Sequence, residues 1–175
     1  MKAIILVGYM CVGKTTVGRS LAKELGYQFY DLDWYIEERF RKKVPVIFAE
    51  QGEEKFRDLE RRMLHEVAEF ENVVVSCGGG TPCFFNNMEY MNQVATTVYM
   101  KASVDTILEH LRLSKGERPL LKGKSEEELR AFVTEQLATR SPFYEQAKYT
   151  TNVDVLNDFK RVNDVALTIK NLISN

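Results

Sequence analysis

The chain has 175 residues, suited to one domain around a single core, and 45% of them are apolar and 28% charged, the balance of a folded globular protein rather than a disordered or membrane-spanning one. Its 24 basic and 25 acidic residues leave no net field to draw in nucleic acid or an anionic membrane, so neither is an expected partner and any anion must be held by a local cluster. Cys11, Cys77 and Cys83 are an odd set without paired CxxC spacing, which argues against a disulfide framework or structural zinc and for a reducing cytoplasm.

Short apolar runs alternate with longer segments of helical period, a pattern that predicts an α/β fold with a parallel sheet. The first predicted strand, residues 2–7, is apolar enough to imitate a signal-peptide core. No small-residue cleavage site follows it, and cutting there would destroy the element that comes next.

That element is GYMCVGKT, Gly8 to Thr15, which matches GxxxxGK[ST]. Such a loop turns backbone amides inward onto phosphate oxygens and adds the positive end of the following helix. Lys14 is expected to reach the β- and γ-phosphates of a nucleoside triphosphate and Thr15 a Mg²⁺ ion. The nucleotide-binding segment is read as Gly8, Met10, Cys11, Val12, Gly13, Lys14, Thr15 and Thr16. The alternative, a glycine turn that merely caps a helix, is disfavoured by the apolar strand before the motif and the amphipathic helix after it. Val17, Leu21 and Leu25 recur every four residues in that helix, and Gly26 is placed to cap its end.

A second strand, residues 27–31, ends in Asp31-Leu32-Asp33. Parallel sheets gather ligands at the carboxyl ends of their strands, so these carboxylates can divide metal and hydroxyl duties. Asp33 could equally serve as the N-cap of the next helix. A long amphipathic helix is predicted over residues 53–70, with Gly52 at its start and Phe56, Leu59, Met63, Val67 and Phe70 on one face. Arg57 sits four residues after Glu53 and three before Glu60, so a solvated salt-bridge ladder is its default explanation.

The third strand, residues 73–77, leads into Gly78-Gly79-Gly80, which permits close approach of a ligand or forms a sharp turn. A fourth strand covers residues 95–100. The polar stretch LSKGERPLLKGK, residues 113–124, lies between helical segments and reads as a loop able to close over the reaction, exclude water and deliver Arg118 to the transferring phosphate. Ser125 and Glu128 form a capping box at the start of a helix running to about Arg140, with Pro142 interrupting or restarting it. Arg140 continues the stripe of Val133 and Leu137, and a guanidinium on an apolar face needs an anionic partner. A fifth strand over residues 149–154 and a helix over residues 162–173 complete the order.

Taken together, GYMCVGKTTVGRSLA, FYDLD, GEEKFRDLE, SCGGG, ERPLL and RSPFYEQA resemble, in order and over nearly the whole chain, the successive motifs of the shikimate kinase family. The resemblance implies a three-layer P-loop fold of the nucleoside-monophosphate-kinase type, with a five-stranded parallel sheet flanked by helices and a mobile lid. It implies one domain over residues 1–175, with the lid at about 112–124 and a shikimate-binding segment at about 33–61. The implied reaction is ATP-dependent phosphorylation of the 3-hydroxyl of shikimate in aromatic amino-acid biosynthesis, by a monomeric cytoplasmic enzyme.

Carried over by motif, Lys14, Asp33 and Arg118 are catalytic, and Asp31 stands near magnesium, which it holds through water, together with Thr15. Asp33 binds the ring hydroxyls, orienting first and acting as base second. Arg57, Gly78, Gly79, Gly80 and Arg140 form the carboxylate-binding side, joined by Arg118, while Glu60 supports the binding arginine. Phe48 and Phe56 line the shikimate pocket, and Arg112 flanks adenine. The chain departs from the family at Cys11, where glycine is usual, and at Val12, where a small residue is usual. It also lacks a proline between residues 150 and 160. The competing readings are a P-loop kinase of another hydroxy acid such as gluconate and a non-catalytic ATP-binding domain. A regulatory GTPase is excluded by the lack of an NKxD signature, since Thr151-Asn152-Val153-Asp154 has the wrong spacing.

Overall fold

The computed structural model describes residues 2–114 and 123–174. Within them five strands, β1 (Ile4–Val7), β2 (Gln28–Asp31), β3 (Val73–Ser76), β4 (Thr96–Lys101) and β5 (Tyr149–Asn152), form one sheet in the order β2-β3-β1-β4-β5. All neighbours are parallel. Seven α-helices accompany them: α1 (Lys14–Leu25), α2 (Leu32–Phe40), α3 (Val44–Ala68), α4 (Asn87–Val94), α5 (Val104–Leu113), α6 (Glu126–Tyr144) and α7 (Phe159–Ser174). This is the expected α/β P-loop architecture.

The central strands explain their own position. Every residue of β1 and β3 is buried, as a strand covered by helices on both faces requires, and the run of Ile, Leu and Val supplies side chains that pack on a pleated surface. The edge strand β2 is only partly buried and carries Gln28 and Asp31. Register matters most for the site. Ser76 pairs with both Leu6 and Asp31, so the carboxyl ends of β2, β3 and β1 finish level. The loops that follow, beginning at Asp31, Cys77 and Gly8, therefore open onto one edge of the sheet.

Helix α1 ends at Gly26, whose left-handed backbone (φ 69°) lets its amide reach the carbonyls of Ala22 and Lys23, as expected of a glycine cap. It packs on α7, whose buried Val162, Ala166 and Ile169 form one stripe. The capping box of α6 is present: Ser125 Oγ accepts from the Glu128 amide at 3.2 Å, and Glu128 Oε2 accepts from the Ser125 amide at 2.7 Å.

Three local expectations are sharpened or changed. Gly52 does mark the start of the chain's second long helix, as a non-helical joint (φ 80°, ψ 169°), but a further helical piece lies before it within α3, starting at Val44 with Pro45 in its first turn. Proline is pre-set for a first turn, and glycine alone tolerates that backbone in mid-helix. The N-cap of α2 is Asp31, which accepts from the amides of Asp33 and Trp34, so Asp33 is not the cap. Helix α6 runs through Pro142 to Tyr144; with only two helical residues after the proline, the missing amide donor falls in the last turn, where little helix remains to be disrupted.

Candidate active site

The loop between β1 and α1 is built as an anion cradle. Gly8 (φ 147°), Cys11 (φ 62°) and Gly13 (φ 96°) all have positive φ, which folds successive amides toward one point. A methyl group on Gly8 would lie 2.7 Å from the Met100 carbonyl oxygen, so that position is closed to any side chain. The N-terminus of α1 has no side-chain cap and no acidic residue in its first turn. Its amides and positive dipole end are left for phosphate oxygens. Lys14 is 7% exposed, and its ammonium donates to the carbonyls of Gly8 at 2.8 Å and Tyr9 at 2.7 Å. An ammonium has three donors, so one remains for a ligand. Burial pushes its pKa down to about 8, with the carboxylates of Asp33 and Asp31 among the charges that oppose the shift.

Two carboxylates stand at the end of β2. Asp31 Oδ2 accepts from the Thr15 hydroxyl at 2.7 Å, while Oδ1 caps α2. This hydroxyl–carboxylate pair beside the cradle is a hard-oxygen set of the kind that suits a magnesium ion carried by phosphates. Asp33 faces the cavity, and burial pushes its pKa up to about 6, reinforced by the neighbouring Asp31 and Glu60 carboxylates. One fold thus gives two adjacent aspartates different work.

The three glycines after β3 keep ordinary backbone angles, since none is among the positive-φ residues. Their use is space. A methyl on Gly78 would lie 3.5 Å from Asp33 Oδ1, one on Gly79 would lie 3.1 Å from the Met10 amide and 3.5 Å from Arg140 Nη1, and one on Gly80 would lie 2.7 Å from Arg57 Nη2. Successive residues of one loop therefore lie against Asp33, the loop after β1 and both arginines.

Arg57 is not a solvated ladder residue. Its side chain is 13% exposed and that of Glu60 is 2% exposed, and Arg57 Nη1 donates to Glu60 Oε2 at 2.8 Å. The Thr81 hydroxyl donates to Glu60 Oε1 at 2.7 Å, so both carboxylate oxygens are engaged. The guanidinium carbon lies 4.1 Å from the ring centre of Phe84 and 5.3 Å from that of Phe56. Its Nε is buried without a hydrogen-bond partner, and Glu53 at 3.6 Å is too far to serve. A guanidinium held at Nη1 by one carboxylate keeps the donors of Nη2, on the side of Gly80, for another acceptor.

Arg140 reaches the same region from α6. The Tyr144 hydroxyl donates to the Gly79 carbonyl, docking the helix on the glycine loop, and the Arg140 guanidinium carbon lies 5.8 Å from the Tyr9 ring centre. A cavity of about 410 Å³ joins the cradle to the carboxylates, lined by Met10, Gly13, Lys14 to Thr16, Asp31, Asp33 and Gly78 to Gly79, among others. Val12 is buried beneath the loop. The rings of Phe48 and Phe56 lie tilted to each other with centres 5.5 Å apart, and the Arg57 guanidinium carbon is 5.3 Å from the Phe56 ring centre. Arg112 is exposed and ion-paired with Glu109 and Glu126. His110 and Leu113 of α5 line the cavity, with Ser114 just beyond the helix. Arg118 and most of the lid range lie outside the described residues.

The comparisons with known proteins agree with this geometry. A family model described as shikimate kinase matches residues 10–171. A shikimate kinase of Parabacteroides distasonis is 54% identical over 173 residues, covering 99% of this chain and 100% of that protein. The chain belongs to the shikimate kinase family. The crystal structure of the shikimate kinase from Bacteroides thetaiotaomicron superposes with a TM-score of 0.95 at 49% identity, covering 99% of both chains. That of the Acinetobacter baumannii shikimate kinase in complex with shikimate gives 0.85 at 35% identity, over 99% of this chain and 93% of the other. Shikimate kinases are small-molecule kinases, and Cys11 to Thr15 of the loop, the two aspartates and the buried arginine all fall within the matched range.

The reading of residues alone passed over Tyr9, Thr81, Phe84, His110 and Tyr144. Only Tyr144 carried a visible signal, because it continues the Val133, Leu137, Arg140 spacing by four residues. Tyr9, Thr81 and Phe84 are brought in by the segments that follow β1 and β3, and His110 by α5.

Proposed function

We propose that this chain transfers the γ-phosphoryl group of ATP to the 3-hydroxyl of shikimate, as a monomeric cytoplasmic enzyme of aromatic amino-acid biosynthesis. The observation that carries the reading is the Arg57 guanidinium, buried, held by Glu60 at Nη1 and with Nη2 lying against Gly80. A cyclic polyol that bears a carboxylate can place its acid there and its hydroxyls toward Asp33. Residues 33–61 then form the acceptor-binding segment, with Arg140 on its far side.

Each residue has a task that its surroundings support. The α1 amides and Lys14 fix the phosphate chain and neutralise charge that grows in transfer. Thr15 and, through water, Asp31 would hold the magnesium, which would supply charge neutralisation during transfer. Asp33 orients the attacking hydroxyl and accepts its proton late, since a loose transition state gains chiefly from positioning. Arg118, on the lid at 112–124, closes the site and meets the transferring phosphoryl group.

The two shifted groups set a pH window. Asp33 must be ionised to accept a hydrogen bond, and it gains a proton below about 6; Lys14 must be charged, and it loses its proton above about 8. The profile of kcat/KM in the free enzyme is expected to be bell-shaped between those limits. Asp33→Asn should remove the acid limb, and Lys14→Arg should move the alkaline limb out of range. A profile flat from pH 5 to pH 9, limits that lie about one unit outside the two limbs, would remove both assignments.

Gly80→Ala tests the acceptor side. A methyl at 2.7 Å from Nη2 must displace the guanidinium, and no backbone strain arises because φ is −88°. KM for shikimate is expected to rise on the order of tenfold, with KM for ATP and the melting temperature little changed. Steady-state kinetics with each substrate varied in turn reads this directly. An unaltered shikimate KM would place the carboxylate elsewhere. Coupled measurement of ADP release with shikimate and gluconate tests the reading as a whole: shikimate should be turned over and gluconate ignored.

A further inference from the structure

One imidazole joins three parts of the nucleotide end of the cavity. His110, on α5, is 8% exposed. Its Nδ1 lies 2.7 Å from the carbonyl oxygen of Cys11 in the phosphate loop, and its Nε2 lies 2.8 Å from the amide nitrogen of Leu156, in the segment between β5 and α7. A carbonyl only accepts and an amide only donates. The ring therefore carries its proton on Nδ1 and presents a lone pair at Nε2.

The two ends of this bridge bear on the cradle in different ways. Cys11 has φ 62°, a left-handed conformation that costs a residue with a Cβ about 1–2 kcal/mol. The bond from His110 to its carbonyl fixes the orientation of that peptide. At the other end, Leu156 covers the turn into α1: a methyl on Gly13 would lie 2.4 Å from Leu156 Cδ1. Cys11, Gly13, His110 and Leu156 all line the cavity.

We infer that His110 is a positioning residue for the nucleotide: it locks the strained Cys11 peptide of the phosphate loop and pins the Leu156 segment over it, so that the cradle is formed before ATP arrives. The inference rests on the ATP reading of the cavity. Its value lies in preorganisation, which lowers the ordering cost of binding. Removing the ring should therefore weaken ATP and leave the acceptor alone.

The test is steady-state kinetics and ADP titration calorimetry on the full chain. His110→Ala is expected to raise KM for ATP and the ADP dissociation constant on the order of tenfold, with KM for shikimate unchanged. His110→Phe keeps a flat ring but neither hydrogen bond, and should be as weak as His110→Ala. Glycine takes the left-handed conformation freely, so in a Cys11→Gly background the same His110→Ala change should cost only about threefold, a coupling that neighbouring positions show when they act together. Full ATP affinity in His110→Phe, or equal penalties in both backgrounds, would overturn the latch and make His110 a simple contact. Melting temperatures and the shikimate KM separate misfolding from a nucleotide-specific effect. Failure of the wild type to phosphorylate shikimate would instead refute the functional reading.

Discussion

Lys14→Met is expected to reduce kcat on the order of a thousandfold while leaving the fold at least as stable as the wild type at neutral pH. The catalytic loss follows from position. The ammonium is tethered to the carbonyls of Gly8 and Tyr9 inside the cradle, so its charge is preorganised where phosphate charge develops, in a water-poor site where such charge counts most. The stability argument runs the other way. Holding the pKa at about 8 against 10.5 for a free lysine means that burying this side chain charged costs the fold about 3 kcal/mol. That cost is present in full below about pH 8 and fades as pH rises to 10.5, where the unfolded chain also loses its proton. Methionine removes the charge at similar length but strands two carbonyls, each worth about 1 kcal/mol. Chemical unfolding at pH 7 should therefore show no loss, and any advantage should shrink at pH 10. A variant that is inactive because it is unfolded would contradict the account of Lys14 as a group kept for function at the expense of stability.

Arg57→Ala is expected to raise KM for shikimate on the order of a hundredfold and to lower stability by about 3–5 kcal/mol, because removing one member of a buried ion pair leaves the other uncompensated. Glu60, with its side chain 2% exposed, would keep only the Thr81 hydroxyl. Adding Glu60→Gln should restore much of the lost stability, since an uncharged amide is cheaper to bury, and should restore none of the binding. Denaturant unfolding and shikimate kinetics on the single and double variants separate the two roles. If Arg57→Ala bound shikimate normally, the buried fork would be a structural pair only.

The contrast between Arg57 and the phosphate loop shows what the residues reveal before folding. The loop is local: strand, glycines, lysine and helix are contiguous, so their chemistry is written in one stretch, and the positive φ values at Gly8 and Gly13 bear it out. The five strands are legible for the same reason, as apolar runs of the right length. Arg57 is not, because the groups that bury and hold it, Thr81 and Phe84, arrive from the loop after β3. Seen alone, a guanidinium with glutamates four before and three after is indistinguishable from a surface ladder. The motif resemblance placed Arg57 and Glu60 in the site where helical spacing did not.

Smaller departures have similar causes. Two aspartates two residues apart can each cap α2, and the choice of Asp31 over Asp33 was decided by where β2 stops pairing with Ser76. That choice frees Asp33 to face the cavity. Gly52 does mark the start of the helix that follows it, but the stretch before it, from Val44, is helical as well. Arg112 is ion-paired with Glu109 and Glu126 at the surface. Two residues back, His110 occupies the inward face of α5, and nothing in the sequence marks a lone histidine as bridging the loops after β1 and β5.

The most direct test of the central claim is identification of the product formed from ATP and shikimate by the purified chain. Phosphorus NMR coupled to the ring protons should show a single new phosphate ester, on the carbon that bears the 3-hydroxyl, formed in equal amount with ADP. ADP released without an ester, or a phosphate on a different hydroxyl, would contradict the placement of the carboxylate at Arg57 and of the nucleophile at Asp33.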